Sequence, residues 1–203
     1  MKILILGNGV MANIVKDNIG NTDEFIAMLD TKYELKCDEE FDVIIDFSHH
    51  SATKKIIDFA VEKNKPILIA TTGQTNDELE YIEKAKEKIN LSKISNTSLG
   101  VYAVNELVKK AAEILKDFDI SIIEKHHTRK IDAPSGTAIT IADSIKEVNK
   151  DAKIEMHSIR AGNISGEHTI LFAGIDEIVE IKHTATSRKI FALGAIKYAR
   201  ELL

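Results

Sequence analysis

Two adjacent histidines, His126 and His127, with Lys130 a few residues on, are the side chains in this chain best suited to acid–base chemistry. Histidine can hand over a proton near neutral pH, and a nearby ammonium can hold negative charge on a substrate. Adjacent residues on an extended backbone face opposite ways, so the two histidines have different tasks. The run Asp132-Ala133-Pro134-Ser135-Gly136-Thr137-Ala138 follows. Its proline keeps Ala133 extended, and Ser135, Gly136 and Thr137 open a helix with free amides and hydroxyls. Such a start can hold a carboxylate or a phosphate. Taken singly, a charged run is more often a solvated loop, and Ser135 or Thr137 more often an ordinary helix cap. Taken together, a proton donor, a cation and an anion-binding helix start are what a carboxylate substrate requires. His126 and Lys130 are therefore the candidates for chemistry, with Arg129 and Ser135 assigned to the scaffold. Neighbouring histidines lack ligand spacing and Cys37 is the single cysteine, so no metal is expected. Ser135 lacks the G-x-S-x-G elbow of a hydrolase nucleophile.

The elements around this stretch must position it. Phe118, Ile120 and Ile122 alternate as in a strand, which places the cationic run on the loop that follows. Ala138, Ile141, Ala142, Ile145 and Val148 then share one helical face. Upstream, the pattern predicts a helix over Val101 to Leu115, with Val104, Leu107, Val108, Ala111, Ala112 and Leu115 as its stripe. Downstream, Ile154 to Arg160, His168 to Ala173 and Ile175 to Lys182 read as strands, broken by the glycine loop Ala161 to Gly166. This half reads as an α+β unit with an open mixed sheet.

The first half has another pattern. Lys2 to Leu6 is an apolar strand running into Gly7-Asn8-Gly9-Val10-Met11-Ala12, a G-x-G-x-x-A turn opening a helix. The first glycine permits the turn, the second lets backbone approach a pyrophosphate, and small Ala12 lets helix and strand pack closely. A second strand from Phe25 ends at Asp30, about 20 residues beyond the turn, where an acid can accept hydrogen bonds from a ribose. Strands and helices keep alternating: a strand over Asp42 to Ser48, a helix over Ala52 to Lys63 and a strand over Pro66 to Ala70. A charged helix over Asn76 to Lys88 follows, with Leu79, Ile82 and Ala85 inward, then a short strand over Leu91 to Ser95. Near-continuous apolar strands of this kind build a Rossmann-type doubly wound parallel sheet, whose ligands bind beyond the strands' carboxyl ends. Phe47, Thr71-Thr72-Gly73 and Ser95-Asn96 all fall at such ends. Each alone is equally a plain turn, and their shared position favours binding. The last segment, Phe191 to Leu203, is helical again.

Composition limits the alternatives. With 27 Lys+Arg against 32 Asp+Glu the net charge is −5 and the charges are interspersed, which argues against a nucleic-acid partner. No apolar run reaches the roughly 20 residues of a membrane span. The single cysteine and the absence of a leader pattern lead us to expect a cytoplasmic protein.

Glu124-Lys125-His126-His127-Thr128-Arg129-Lys130-Ile131-Asp132-Ala133-Pro134-Ser135-Gly136-Thr137-Ala138 closely resembles the E-x-H-H-x-x-K-x-D-A-P-S-G-T-A signature of the 4-hydroxy-tetrahydrodipicolinate (dihydrodipicolinate) reductase family. Arg160-Ala161-Gly162 with Gly166-Glu167-His168-Thr169, His183 to Arg188, and Phe191 to Ala195 are similar to further segments of that family. The likeness spans almost the whole chain, Asp46-Phe47-Ser48 and Thr71-Thr72-Gly73 included.

The resemblance implies an oxidoreductase of lysine and diaminopimelate biosynthesis that passes hydride from NADH or NADPH to a small cyclic dicarboxylate. It implies His126 as general acid, Lys130 as catalytic cation, and His127, Gly136 and Thr137 as substrate contacts. Cofactor contacts would come from Gly7, Gly9, Val10, Met11, Asp30, Phe47, Thr71, Thr72, Gly73, Ser95, Asn96 and Arg188. A dinucleotide-binding domain over 1–98 and 188–203, a substrate-binding and oligomerisation domain over 99–187, and a homotetramer joined through the second sheet are implied as well. The phosphate loop departs from the family's usual G-x-x-G-R-M-G by one residue and lacks its arginine. With Asp30 repelling a 2′-phosphate, NADH is favoured, and Lys32 leaves NADPH allowed. The segment from Thr31 to Phe41 is shorter than usual, and Ser95-Asn96-Thr97-Ser98 lacks the family's phenylalanine after asparagine. Two other readings stay open on sequence alone: a catalytically silent sensor that binds NADH without oxidising it, and a reductase of other imines or enoyl compounds.

Overall fold

Five short strands form the first sheet, and the isoleucine, leucine and valine runs of its three central strands are buried on both faces. In this computed structural model, which describes residues 1–203, they are β1 (Lys2–Leu6), β2 (Glu24–Leu29), β3 (Val43–Asp46), β4 (Ile67–Ile69) and β5 (Leu91–Lys93). All pairings are parallel, in the order β2-β1-β3-β4-β5. Side-chain alternation divides the core in two. Ile3, Ile5, Val43 and Ile45 meet α1 (Val10–Asp17) and α6 (Lys189–Glu201), the latter through Ala192, Ala195 and Ala199. Leu4, Leu6 and Ile44 meet α2 (Thr53–Lys63) and α3 (Asn76–Ala85). The strand order reverses beside β1, so a crevice opens at the carboxyl ends of β1 and β3.

The second sheet is mixed, in the order β7-β6-β8-β9, with β6 (Asp119–His126), β7 (Ile154–Arg160), β8 (Glu167–Ala173) and β9 (Ile178–Thr184). β6 and β7 are parallel, joined by α5 (Gly136–Val148), while β8 and β9 run antiparallel to their neighbours. Helix α4 (Leu99–Ile114) and α5 cover one face, packing Val104, Val108, Ala112, Ile141 and Ile145 on Ile120, Ile122, Ile170 and Phe172. No helix of the molecule is long and apolar enough to cross a membrane.

The chain thus divides into Met1–Ser98 with Lys189–Leu203, and Leu99–Arg188. Arg188, expected with the first unit, stays with the second because the returning helix begins one residue later. Three expected details are corrected. The strand before the histidines does not stop at Ile122: pairing with β7 and β8 carries it to His126, so only His127 onward is loop. Leu79 is 38% exposed, since α3 packs at the sheet edge through its later residues Ile82 and Ala85. Leu107 is exposed as well, because α4 rests on the sheet along the line Val104, Val108 and Ala112.

Helix α6 is seated by one close approach. A Cβ built on Gly194 would stand 1.7 Å from the carbonyl oxygen of Thr97, whose own hydroxyl donates to the Phe191 carbonyl at 2.7 Å. The residue there has no flexible side chain to move aside; backbone must shift. Gly194→Ala should therefore destabilise the first unit by about 1–3 kcal/mol or more, the range for overpacking, read as a lower urea midpoint with an unchanged slope.

Candidate active site

The alternation that buries Ile120 and Ile122 beneath the helices continues two steps further, to Glu124 and His126. Register places Ser158 and Arg160 of β7, His168 of β8 and His183 of β9 on that same face. The parallel β6-α5-β7 unit brings the first turn of α5 to the same end of the sheet. One end of the second unit therefore collects polar groups that the strand pattern would otherwise reserve for core.

Glu124 is fully buried and bonded on both oxygens. Its Oε1 accepts from Arg160 Nη2 at 2.6 Å and from the Ser135 amide at 3.2 Å, and its Oε2 accepts from Arg160 Nη1 at 2.8 Å. His126 Nδ1 lies 2.5 Å from Oε2. Burial alone would raise the Glu124 pKa. Hydrogen bonds from Arg160, Ser158 and His126, with the Arg160 charge, outweigh it and hold the carboxyl at about 2. Ser135 caps α5 by accepting from the Ala138 amide at 3.2 Å, and its hydroxyl meets His168 Nε2 at 3.0 Å. Burial, then the charge of His126, pushes His168 down to about 4, so it is neutral at physiological pH.

Lys130 sits on the loop beyond β6, its ammonium 2.8 Å from Asp132 Oδ1. Lys130 and then the Gly136 amide hold the Asp132 carboxyl below its usual range. An internal carboxylate thus rests where the sequence placed an anion site. His127 is half-buried, pushed down by burial and by the charges of Arg129 and Arg188. Nothing but open space faces the Cα of Gly136, and Thr137 stands beside it in the first turn of α5. The fold thus gathers His126, His127, Lys130, Gly136 and Thr137 at one end of one unit. It also adds Glu124, Arg160 and His168, which sequence reasoning left without a role, and it gives Ser135 more than scaffold duty. The two-residue step from Glu124 to His126 was the available signal, once the strand is known to extend that far. No three acidic, histidine or cysteine side chains are arranged to hold a metal ion.

In the first unit, Gly7 has φ +104°, and a Cβ there would stand 2.5 Å from the Phe47 carbonyl oxygen, so only glycine lets β1 and β3 close the turn. Gly9 is different: a Cβ on it would meet nothing. Helix α1 begins there without a side-chain cap or an acidic first turn, whereas α3 carries a full Thr75–Glu78 capping box. The turn just before these uncapped amides, Gly7 to Gly9, lines a cleft of about 470 Å³ together with Asp30, Lys32, Phe47, Ser48, His49 and Lys55, while Val10 is exposed and Met11 half-buried. Asp30 accepts from Asn8 Nδ2 at 2.8 Å and from the Lys32 amide at 3.0 Å. Open space over Gly9, free helix amides and a carboxylate at the end of β2 fit a dinucleotide. Thr71, Thr72 and Gly73 follow β4, Gly73 with φ +88°, and Ser95 and Asn96 follow β5; none of these lines that cleft. Arg188 belongs to the second unit, where its charge acts on His127.

Family models described as the N-terminus and the C-terminus of dihydrodipicolinate reductase match residues 8–97 and 100–203. The 4-hydroxy-tetrahydrodipicolinate reductase of Brachyspira hyodysenteriae is 41% identical over 220 aligned residues, covering 100% of this chain and 94% of that protein. The chain belongs to the dihydrodipicolinate reductase family. It is accordingly an oxidoreductase built for a nicotinamide cofactor. The enzyme of the same name from Caldanaerobacter subterraneus is 42% identical over 182 residues, 81% of this chain and 72% of its own. Among solved structures, the dipicolinate-bound dihydrodipicolinate reductase from Paenisporosarcina sp. TG-14 has the same fold, with a TM-score of 0.82 at 23% identity over 99% of this chain and 93% of that one. GenD2 of gentamicin A biosynthesis, solved with NAD, superposes with a TM-score of 0.65 at 10% identity, over 100% and 86% of the two chains.

The network makes stability depend on pH in a way that can be separated by residue. His168 has a folded pKa below its unfolded value, so its contribution is present above about 6.5 and is lost as pH falls toward 4. Asp46, buried and pushed up to about 6, has the opposite sign over an overlapping window: its protonation on acidification favours the fold. Wild type against His168→Gln isolates the first. The stability gap between them should narrow by about 3 kcal/mol between pH 7 and pH 4, measured by urea unfolding at each pH.

Proposed function

We propose that this chain reduces 4-hydroxy-tetrahydrodipicolinate to tetrahydrodipicolinate with NAD(P)H, in lysine and diaminopimelate biosynthesis. The observation that carries the reading is the convergence of His126, Lys130 and the start of α5 at one end of the second sheet, in a chain of this family. When bound, the reduced nicotinamide supplies the hydride. The chain's own residues do the rest. Helix α1, Gly7 and Gly9 admit the pyrophosphate, and Asp30 takes the ribose hydroxyls. Lys130 leaves Asp132 for a substrate carboxylate, which the Gly136 and Thr137 amides and His127 also hold. Hydride arriving on the ring leaves negative charge, and His126 quenches it with a proton from Nε2.

Asp30 disfavours a 2′-phosphate, so NADH is the preferred cofactor; Lys32 and Lys55 in the same cleft keep NADPH usable. Phe47, Thr71, Thr72, Gly73, Ser95, Asn96 and Arg188 complete the cofactor contacts in this reading. The sheet face away from α4 and α5 carries Ile123, Ile159 and Leu171, and we assign it to a homotetramer. Sedimentation of the purified chain, with Leu171→Glu shifting it to smaller species, tests that assignment.

The reaction is tested with substrate made in situ by the preceding synthase, following oxidation of NADH and NADPH side by side. His126→Gln should lower kcat by about 10²- to 10⁴-fold, the worth of a positioned acid, and Lys130→Ala should lower kcat and raise KM together. Near-normal turnover in both variants sinks the assignment. Cofactor binding without oxidation in the wild type would instead favour a silent sensor.

A further inference from the structure

We propose that Glu124 is the positioning residue for the proton donor: it fixes His126 with hydrogen on Nδ1, so that Nε2 is the atom that exchanges a proton with the substrate. Arg160 and the Ser135 amide lock Glu124 for that task. The proposal rests on the reading of His126 as general acid and adds to it a tautomer and the residues that set it.

The geometry leaves few choices. Glu124 is fully buried and its carboxylate is clamped by both arms of Arg160, an arrangement that keeps it ionised. An ionised carboxylate only accepts hydrogen bonds. The contact of 2.5 Å between Oε2 and His126 Nδ1 therefore requires the hydrogen to be on Nδ1. The ring is then committed, and Nε2 alone is left to gain or lose a proton. Nε2 points toward Gly166, where even a Cβ would approach it to 3.2 Å, so glycine there keeps the working nitrogen clear.

The clamp is also tied to the rest of the site. Arg160 Nη2 donates to the Asp132 carbonyl at 2.7 Å, in the loop that carries Lys130. The Ser135 amide reaches Glu124 from the residue that caps α5, the helix whose first turn meets the substrate carboxylate. One carboxylate thereby sets the relative positions of the proton donor, the cationic loop and the anion-binding helix start.

Charged and titratable groups around His126 come from every neighbouring strand: Glu124 on its own, Arg160 on β7, His168 on β8 and His183 on β9. His127, Lys130 and Asp132 add to them from the loop. Of these, Glu124 is the one in hydrogen-bond contact with a ring nitrogen of His126. Replacing the carboxylate while keeping its shape should act on the ring's tautomer and on kcat, with KM little changed.

The first test needs no variant. Long-range ¹⁵N–¹H imidazole spectra of the wild-type protein should show neutral His126 as the Nδ1–H tautomer; the Nε2–H tautomer overturns the proposal. The second is kinetic. Glu124→Gln should lower kcat about 10- to 100-fold, part of the 10²–10⁴ available to general acid catalysis, with KM little changed. Combined with His126→Gln it should slow the enzyme no further, because Glu124 acts through that ring. Additive losses, or a raised KM with kcat unchanged, would refute the role. Near-normal turnover of His126→Gln by itself is a different result: it removes the general acid and not the tautomer, which the spectra read independently. If Glu124→Gln does not fold, the wild-type spectrum still decides.

Discussion

A buried carboxylate with a donor on every side is the constraint on which the second unit is built. Taking Glu124 and Arg160 out of water costs several kcal/mol per ion, and their attraction offsets this only when geometry is good and the remaining hydrogen-bonding positions are filled. On the carboxylate they are filled by the two guanidinium arms, the Ser135 amide and His126, while Arg160 Nε is left without a partner. Hydrophobic residues of similar volume could make a strand end at least as stable. What they could not do is join β6, β7, the loop after β6 and the start of α5 at one point. The ion pair is better understood as fixing positions than as adding stability.

The first unit solves a related problem by omission. Helix α3, which faces solvent, satisfies its first amides with Thr75 and Glu78, and α5 does so with Ser135. Helix α1 has neither cap nor acid at its start. A helix end without partners is unfavourable unless water or a ligand supplies them, and Gly9 keeps its approach open where any larger residue would narrow it. Gly7 serves a different purpose, letting β3 come close enough to close the turn.

Much of this could be read from the sequence because the fold follows its local signals. The glycine turn, the acid at the end of β2, and the alternation of apolar strands with helices all act over a few residues, and each was legible on its own. The strand over Glu124 to His126 was not. A run of charged residues resembles a solvated loop when partners are unknown, and Glu124 reads as surface until Arg160, Ser135 and His168, all distant in sequence, are brought against it. Leu79 and Leu107 misled for the reverse reason: helical periodicity shows which side of a helix is apolar, but the neighbouring element decides how much of that side is covered.

The two helix starts that follow β1 and β6 are finished in different ways. An α-helix begins with four amides that have no partner within it. In α1 these remain available together, which suits the delocalised charge of a pyrophosphate. In α5, Ser135 already satisfies the Ala138 amide with its hydroxyl and the Ile139 amide with its carbonyl, at 3.2 and 3.1 Å. The Gly136 amide is turned to the Asp132 carboxylate, so this helix start is occupied by the chain's own groups. Lys130 lies on the adjoining loop, already bound to the carboxylate of Asp132. The start of α5 is thus closed by the chain's own cap and carboxylate, whereas that of α1 has neither cap nor acid.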